Sequence, residues 1–279
     1  MKTINLIGGG RVGQTLGRLL VQDGQYQVQD ILTRSLVSAQ HALAFIGSGR
    51  AVGHMPDLRP ADLWLLAVPD GQIEPVAVAL AACDSLPPAT VFHASGALSS
   101  EVLQSLQDKG WQVASAHCLL SFASPELAQQ QFAGTPCALE GEVQTLAELR
   151  ALFTRLGAQC FDVRAQDKLL YHAGAVFATN FLPVLQDLAE QLWQHSDMPQ
   201  PLVRHLRATL LQNAVNNIVA LGPQAALTGP AARGDSALVT AQGQAVLQWN
   251  PSAGQAYLAL SALARSLALR QPAGTPDSP

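Results

Sequence analysis

Lys168 and His172 stand four residues apart in DKLLYHAGAVFATN, a stretch otherwise built mainly of Leu, Ala, Val and Phe. On a helix this spacing puts both side chains on one face, and Thr179 and Asn180 continue roughly along it. A lysine on so apolar a helix either snorkels its ammonium to solvent or is poised in a pocket. Lys2, Lys109 and Lys168 are the chain's lysines and arginine is used elsewhere, which favours a chemical reason for a lysine here. His117, in SAHCLLSF, is a second candidate proton carrier. An imidazole titrating near neutrality suits proton transfer to a carbonyl or imine being reduced; the plainer reading is a strand-end histidine bonded to a carbonyl. Ser95, in FHASGAL, can orient His117 or hold a bound ligand, and His93 belongs inside the preceding strand end.

A further polar stretch, Leu227–Asp235 (LTGPAARGD), interrupts long apolar runs and is either a connector or a site wall. In it Arg233 can fork onto a substrate carboxylate, with Thr228 beside it and Asn180 as a third substrate contact. Asp235 reads as the N-cap of the next helix.

These groups need a scaffold. Short β-like runs at Ile4–Ile7, Val28–Leu32, Leu63–Val68, Thr90–His93, Gln112–Ala116, Pro136–Leu139 and Gln159–Val163 alternate with amphipathic segments or turns. That is the pattern of a mainly parallel sheet covered by helices, an α/β fold of Rossmann type. After Asp167 the strands stop. Long helical runs follow at Lys168–Trp193 and Pro199–Leu221, then at Ala237–Gln248 and Ser252–Arg270. The expected domains are therefore 1–165, mainly sheet, and 166–270, all-helical, with a disordered tail at 271–279.

The N-terminal phrase INLIGGGRVGQTLGRLL places Gly8, Gly10 and Gly13 in the GxGxxG register between a strand and a helix. Gly8 makes the turn, Gly10 lets a pyrophosphate touch the backbone, and Gly13 lets helix and sheet pack closely. Arg11 and Val12, within the motif, join the cofactor contacts. The second strand ends in Thr33-Arg34-Ser35. A carboxylate at this end would accept the ribose 2′-hydroxyl of NAD; a guanidinium and two hydroxyls instead suit a 2′-phosphate. NADP is expected in preference to NAD, the plainer alternative being that Arg34 is a solvated surface charge. Val68 and Pro69, where the strand at 63–68 ends in a Pro-containing turn, and Ser95-Gly96 fall at the same sheet edge and complete the expected cofactor contacts.

Only 13% of the 279 residues are charged against 48% hydrophobic, which hints at a large subunit interface. A net charge of −4 without a basic run argues against nucleic acid and anionic membranes as partners. Cys83, Cys118, Cys137 and Cys160 form no CxxC or metal-ligand spacing, so no metal site is expected. With no signal-like N-terminus and no membrane-length apolar run, the expected location is the cytoplasm.

Together GGGRVG, TRS, AVPD, FHASGAL, SAHCLLSF, KLLYHAGAVFATN and ALTGPAARGD resemble a bacterial family that joins a Rossmann-like domain to a helical domain of uncharacterised function. Its members are often provisionally labelled NADP oxidoreductases. The family commonly reads His-Pro-Leu where this chain has His117-Cys118-Leu119. More distantly the layout is similar to the 6-phosphogluconate dehydrogenase-like enzymes. The hydroxyacid branch implies Lys168 as the acid/base, with His172 replacing an amide; prephenate dehydrogenase implies His117 working with Ser95. The resemblance also implies a homodimer through the helical domain. The expected function is hydride transfer to or from a C–O or C–N carbon of a small, carboxylate-bearing substrate. The competing expectation is a non-catalytic NADP(H) sensor or scaffold whose helical domain docks a partner.

Overall fold

Apolar runs of the first half of the chain collect into one eight-stranded sheet. The computed structural model describes residues 1–270, so the tail expected at 271–279 lies outside the described residues. The strands are β1 (Lys2–Ile7), β2 (Tyr26–Leu32), β3 (Arg50–Val52), β4 (Leu63–Leu66), β5 (Thr90–His93), β6 (Gln112–Cys118), β7 (Pro136–Gly141) and β8 (Gln159–Asp162). Their order is β3-β2-β1-β4-β5-β6-β7-β8, parallel throughout except that β7 runs antiparallel to β6. Interleaved are α1 (Arg11–Asp23), α2 (Leu36–Ile46), α3 (Asp70–Ala81), α4 (Gln104–Gln107), α5 (Pro125–Gln131), α6 (Val143–Arg155) and α7 (Lys168–Ala175).

Strand residues alternate between two apolar clusters, as the two-residue side-chain period requires. Leu6, Leu65, Phe92 and Ala114 pack with Leu16 and Leu20 of α1 and Phe153 of α6. Ile7, Leu66, Val91 and Val113 pack with Ile73 and Leu80 of α3. Both faces are covered, which is why the strands read as nearly continuous hydrophobic runs.

Two details depart from the strand expectations, and both touch the site. β3 has only three residues, enclosed by Gly47-Ser48-Gly49 and Gly53, too short to carry a periodic signal. β6 continues to Cys118 because the antiparallel β7 keeps pairing with it, matching His117 to Ala138 and Cys118 to Cys137. His117 is therefore inside a strand, not after one.

The helical run expected from Lys168 to Trp193 is not one α-helix: a π-turn, Val176–Asn180, follows α7. Compactness divides the described residues into Met1–Asn180 and a unit from Phe181 onward, so α7 clusters with the sheet. The second unit contains α8 (Phe181–His195), α9 (Gln200–Ala226), α10 (Pro230–Arg233), α11 (Ser236–Trp249) and α12 (Pro251–Leu269). The run expected to end at Leu221 does break there: Gly222 takes φ 77° and Pro223 follows. Asp235 caps α11, its side chain accepting from the Leu238 amide. No helix among the described residues is long and apolar enough to cross a membrane.

Candidate active site

The chain leaves β1 through Gly8, whose φ of 113° is a conformation that L side chains rarely adopt. A Cβ on Gly8 would lie 2.3 Å from the Ala67 carbonyl oxygen, and one on Gly13 would lie 2.2 Å from that of Gly8. Gly10 is the opposite case, with φ −75° and nothing within 4 Å of where its Cβ would stand. It is the N-cap of α1, and no side chain caps that helix start. A diphosphate suits this cradle: the backbone is open over Gly10, and the first amides of α1 supply donors and a favourable dipole. Ala67 and Val68 abut Gly8 from the end of β4, with Pro69 opening α3. Thr33 packs on Gly9, and Arg34 and Ser35 are exposed beside it. Arg11 is exposed, with its guanidinium near the Phe122 carbonyl at 3.5 Å.

Next to the cradle is a cavity of ≈ 180 Å³ whose walls include Val12, Asp70, Ser95, Gly96, His117 and His172. Gly96 is its tight point. A Cβ there would lie 2.4 Å from His172 Nδ1 and 2.8 Å from His117 Nε2, so the two imidazoles close over bare backbone. Their rings stand edge to face with centroids 5.4 Å apart. His117 Nδ1 is 2.8 Å from the Tyr171 hydroxyl. Burial, then the neighbouring His172 and Lys168 charges, lower the His117 pKa to about 4, so it is neutral at pH 7. Burial pushes the Tyr171 phenol up, and it stays protonated. His172 Nδ1 is buried without a hydrogen-bond partner among the described residues. A buried polar nitrogen in that state is costly unless something else completes it, and a bound ligand can.

Behind this wall lies a buried polar chain built by strand register. His93, Ser115 and Glu140 are matched side by side across β5, β6 and β7. The Glu140 carboxylate accepts from the Ser100 amide at 2.7 Å, the Ser100 hydroxyl at 2.8 Å and the Ser115 hydroxyl at 3.0 Å. Lys168, 1% exposed, donates to Ser115 Oγ at 2.7 Å and to the Ser95 carbonyl at 3.3 Å. A single hydroxyl thus bridges a buried ammonium and a buried carboxylate. Burial lowers the Lys168 pKa, and the Glu140 charge opposes that shift. The Ser95 hydroxyl oxygen accepts from the Ala97 and Leu98 amides, which holds the turn after β5. His93 completes that turn: Nδ1 accepts from the Ser95 amide and Nε2 donates to the Ser99 carbonyl. Burial lowers its pKa to about 4, consistent with this neutral tautomer.

Of the residues picked from sequence, Ser95, Gly96, His117 and His172 converge on one cavity beside Val12, with the glycine loop adjacent. Lys168 is buried rather than snorkelling; it touches Ser95 from behind and is not among the cavity walls. Asn180 is exposed on the π-turn, where its amide oxygen accepts from Thr179. Thr228 and Arg233 are exposed residues of the helical unit. Tyr171, Ser115 and Glu140 went unnoticed in the sequence. Tyr171 had a signal, since it shares the α7 face with Lys168 and His172 at helical spacing. Glu140 had none, because its role depends on which strand lies beside β6.

Residues 2–118 match the model of a Rossmann-like domain and residues 135–264 that of a domain of unknown function, DUF2520. No curated protein matches the chain. Among solved structures it is similar to protein TM1727 of Thermotoga maritima, at 26% identity and TM-score 0.73 over 95% of this chain and 98% of that one. A Bacteroides fragilis protein provisionally described as an NADP oxidoreductase matches at 20% identity and TM-score 0.77, over 95% and 98% of the two chains. A 1-pyrroline-5-carboxylate reductase of Streptococcus pyogenes matches at 16% identity and TM-score 0.62, again over 95% and 98%. The chain thus matches a Rossmann-like domain in its first part and DUF2520 in its second.

Proposed function

We propose that the protein is an NADP(H)-dependent oxidoreductase acting on a C–O or C–N carbon of a small, carboxylate-bearing substrate, with His117 as the proton carrier. One observation carries the reading: two imidazoles, one of them with an unpartnered buried nitrogen, share a small cavity next to an open glycine cradle. The structural likeness to an NADP oxidoreductase and to a pyrroline carboxylate reductase supports it by fold.

When bound, NADP(H) supplies the carbon that takes or gives the hydride. The cradle holds its diphosphate through the α1 amides, and Arg34 with Ser35 receives the adenosine 2′-phosphate. At the cavity, the His117 tautomer that donates Nδ1–H to the Tyr171 oxygen leaves Nε2 as a proton acceptor over Gly96. In oxidation Nε2 takes the substrate's O–H or N–H proton and passes it to solvent, and in reduction it takes a proton from solvent and delivers it to the substrate heteroatom. His172 Nδ1 bonds the same substrate heteroatom. Lys168 holds the Ser95 carbonyl, and so the Gly96 floor, while its charge is balanced through Ser115 by Glu140. Arg233 and Thr228 of the helical unit, and separately Asn180, are proposed as substrate contacts.

A second copy of the chain completes the reading. The helical unit exposes Leu202, Val215, Val219, Leu221, Leu263 and Leu269, an apolar surface that a homodimer would cover. The four cysteines are free thiols, which suits the cytoplasm. The test is NADPH oxidation against a panel of keto acids, imines and aldehydes. Turnover on at least one class, lost in His117→Asn with NADPH affinity retained, is expected. Tight NADPH binding with no turnover on any of them would replace the enzyme by a dinucleotide sensor.

A further inference from the structure

A second pocket of the sheet unit, ≈ 560 Å³, lies apart from the histidine cavity and is walled by Arg34, Ser35, Arg50, Gly53, His54 and Asp57. Arg50 lies on β3, the strand with no sequence signal. Its guanidinium forks onto Asp30 of β2, Nε to Oδ1 at 2.9 Å and Nη2 to Oδ2 at 3.0 Å, and Nη2 also donates to the Asp57 carbonyl at 2.7 Å. The Asp30 carboxylate is fully buried and is gripped from its other side by Arg59, through the backbone amide, Nε and Nη2. The carboxylate of the second strand is therefore committed inside the sheet, where it fixes the orientation of an arginine. Arg50 Nη1 has no hydrogen bond among the described residues, and the side chain is 48% exposed. Arg34 has neither hydrogen bond nor ion pair among them. The pocket thus presents two guanidinium groups against the single carboxylate of Asp57.

We propose that Arg50, held rigid by Asp30, is the second cation of the adenosine 2′-phosphate subsite and, with Arg34, sets the preference for NADP(H) over NAD(H). The inference rests on the reading of the glycine cradle as a nicotinamide dinucleotide site. A phosphate monoester dianion can accept from two guanidinium groups at once, whereas a ribose 2′-hydroxyl brings no negative charge to either. Because the Asp30 fork already fixes Arg50, little conformational freedom is lost when the phosphate arrives.

Calorimetric titration of the full chain with NADP⁺, NAD⁺, 2′,5′-ADP and 5′-AMP tests this in the unmutated protein, Arg34→Met and Arg50→Met. Either variant is expected to weaken NADP⁺ and 2′,5′-ADP by roughly 10- to 100-fold, leaving NAD⁺ and 5′-AMP within about twofold. Retained NAD⁺ binding shows that the variant is folded. Should Arg50→Met not fold, the unmutated chain serves: 2′,5′-ADP should protect Arg50 from phenylglyoxal where 5′-AMP does not. Unchanged NADP⁺ discrimination in Arg50→Met, or equal labelling of Arg50 with and without 2′,5′-ADP, overturns the role of Arg50 while the dinucleotide reading stands. An unmutated protein that binds none of the four overturns that reading as well.

Discussion

The two halves of this chain bury apolar surface in opposite ways. The unit through Asn180 sandwiches its sheet between helices and fully buries Trp64, Phe92, Phe132 and Phe153. In the helical unit the buried hydrophobic side chains among the described residues are Val203 and Ala253, while Val219 is 81% exposed. Both stretches are poor in charge, so composition does not separate them. What differs is closure: a sheet covered on both faces satisfies itself, whereas long helices with apolar outer surfaces need another surface to pack against. On the proposed reading the first unit carries the chemistry and the second the association.

The sharpest way to break that contrast is a charge on the helical surface. Val219→Asp should convert a dimer into monomers or aggregates, as read by light scattering behind size-exclusion chromatography; a monomeric unmutated protein would remove the contrast instead. Within the sheet unit, His117→Asn should lower turnover by roughly 10²–10⁴-fold with NADPH affinity unchanged. A drop in affinity equal to the drop in turnover would make His117 a binding residue. Lys168→Met leaves Glu140 as a buried, uncompensated carboxylate and should destabilise the fold by about 3 kcal/mol in urea unfolding. Adding Glu140→Leu should recover most of that loss, and failure to recover would show that the two charges are not coupled through Ser115.

A pH series sharpens the same comparison. His93 and His117 titrate near 4 when folded and near 6.5 when unfolded. Between those values the unfolded chain binds more protons, so stability should decline as pH falls from about 6.5 to about 4. His117→Asn should flatten part of that slope; an unchanged slope would mean that His117 is not held neutral. The smallest effect belongs to the helical unit, where Asp235→Ala removes the α11 cap and should cost about 1 kcal/mol.

The fold was legible in the sequence where local chemistry decides it. The glycine register, the apolar strand runs and the end of strands after residue 163 depend on steric and hydrophobic pattern alone. The site was legible in part. His117, Ser95 and His172 stand out as polar residues at strand or helix ends, with Gly96 beside them, and the structure gathers all four around one cavity. Glu140 and Arg50 did not, because each acquires its role from a neighbouring strand: β6 beside β7 for Glu140, β2 beside β3 for Arg50. Asp30 likewise acquires its role from the fold, as the buried anchor of two arginines. The break between α7 and α8 is invisible to periodicity, since the π-turn adds a residue to a turn without changing composition.

Gly10→Val tests the central claim most directly. The backbone φ is ordinary and the space around the missing Cβ is empty, so the substitution should leave the thermal midpoint unchanged while filling the place assigned to the diphosphate. Fluorescence titration with NADPH should show saturable binding for the unmutated chain and none for Gly10→Val. Equal NADPH affinity in the two proteins would contradict the cradle and everything built upon it.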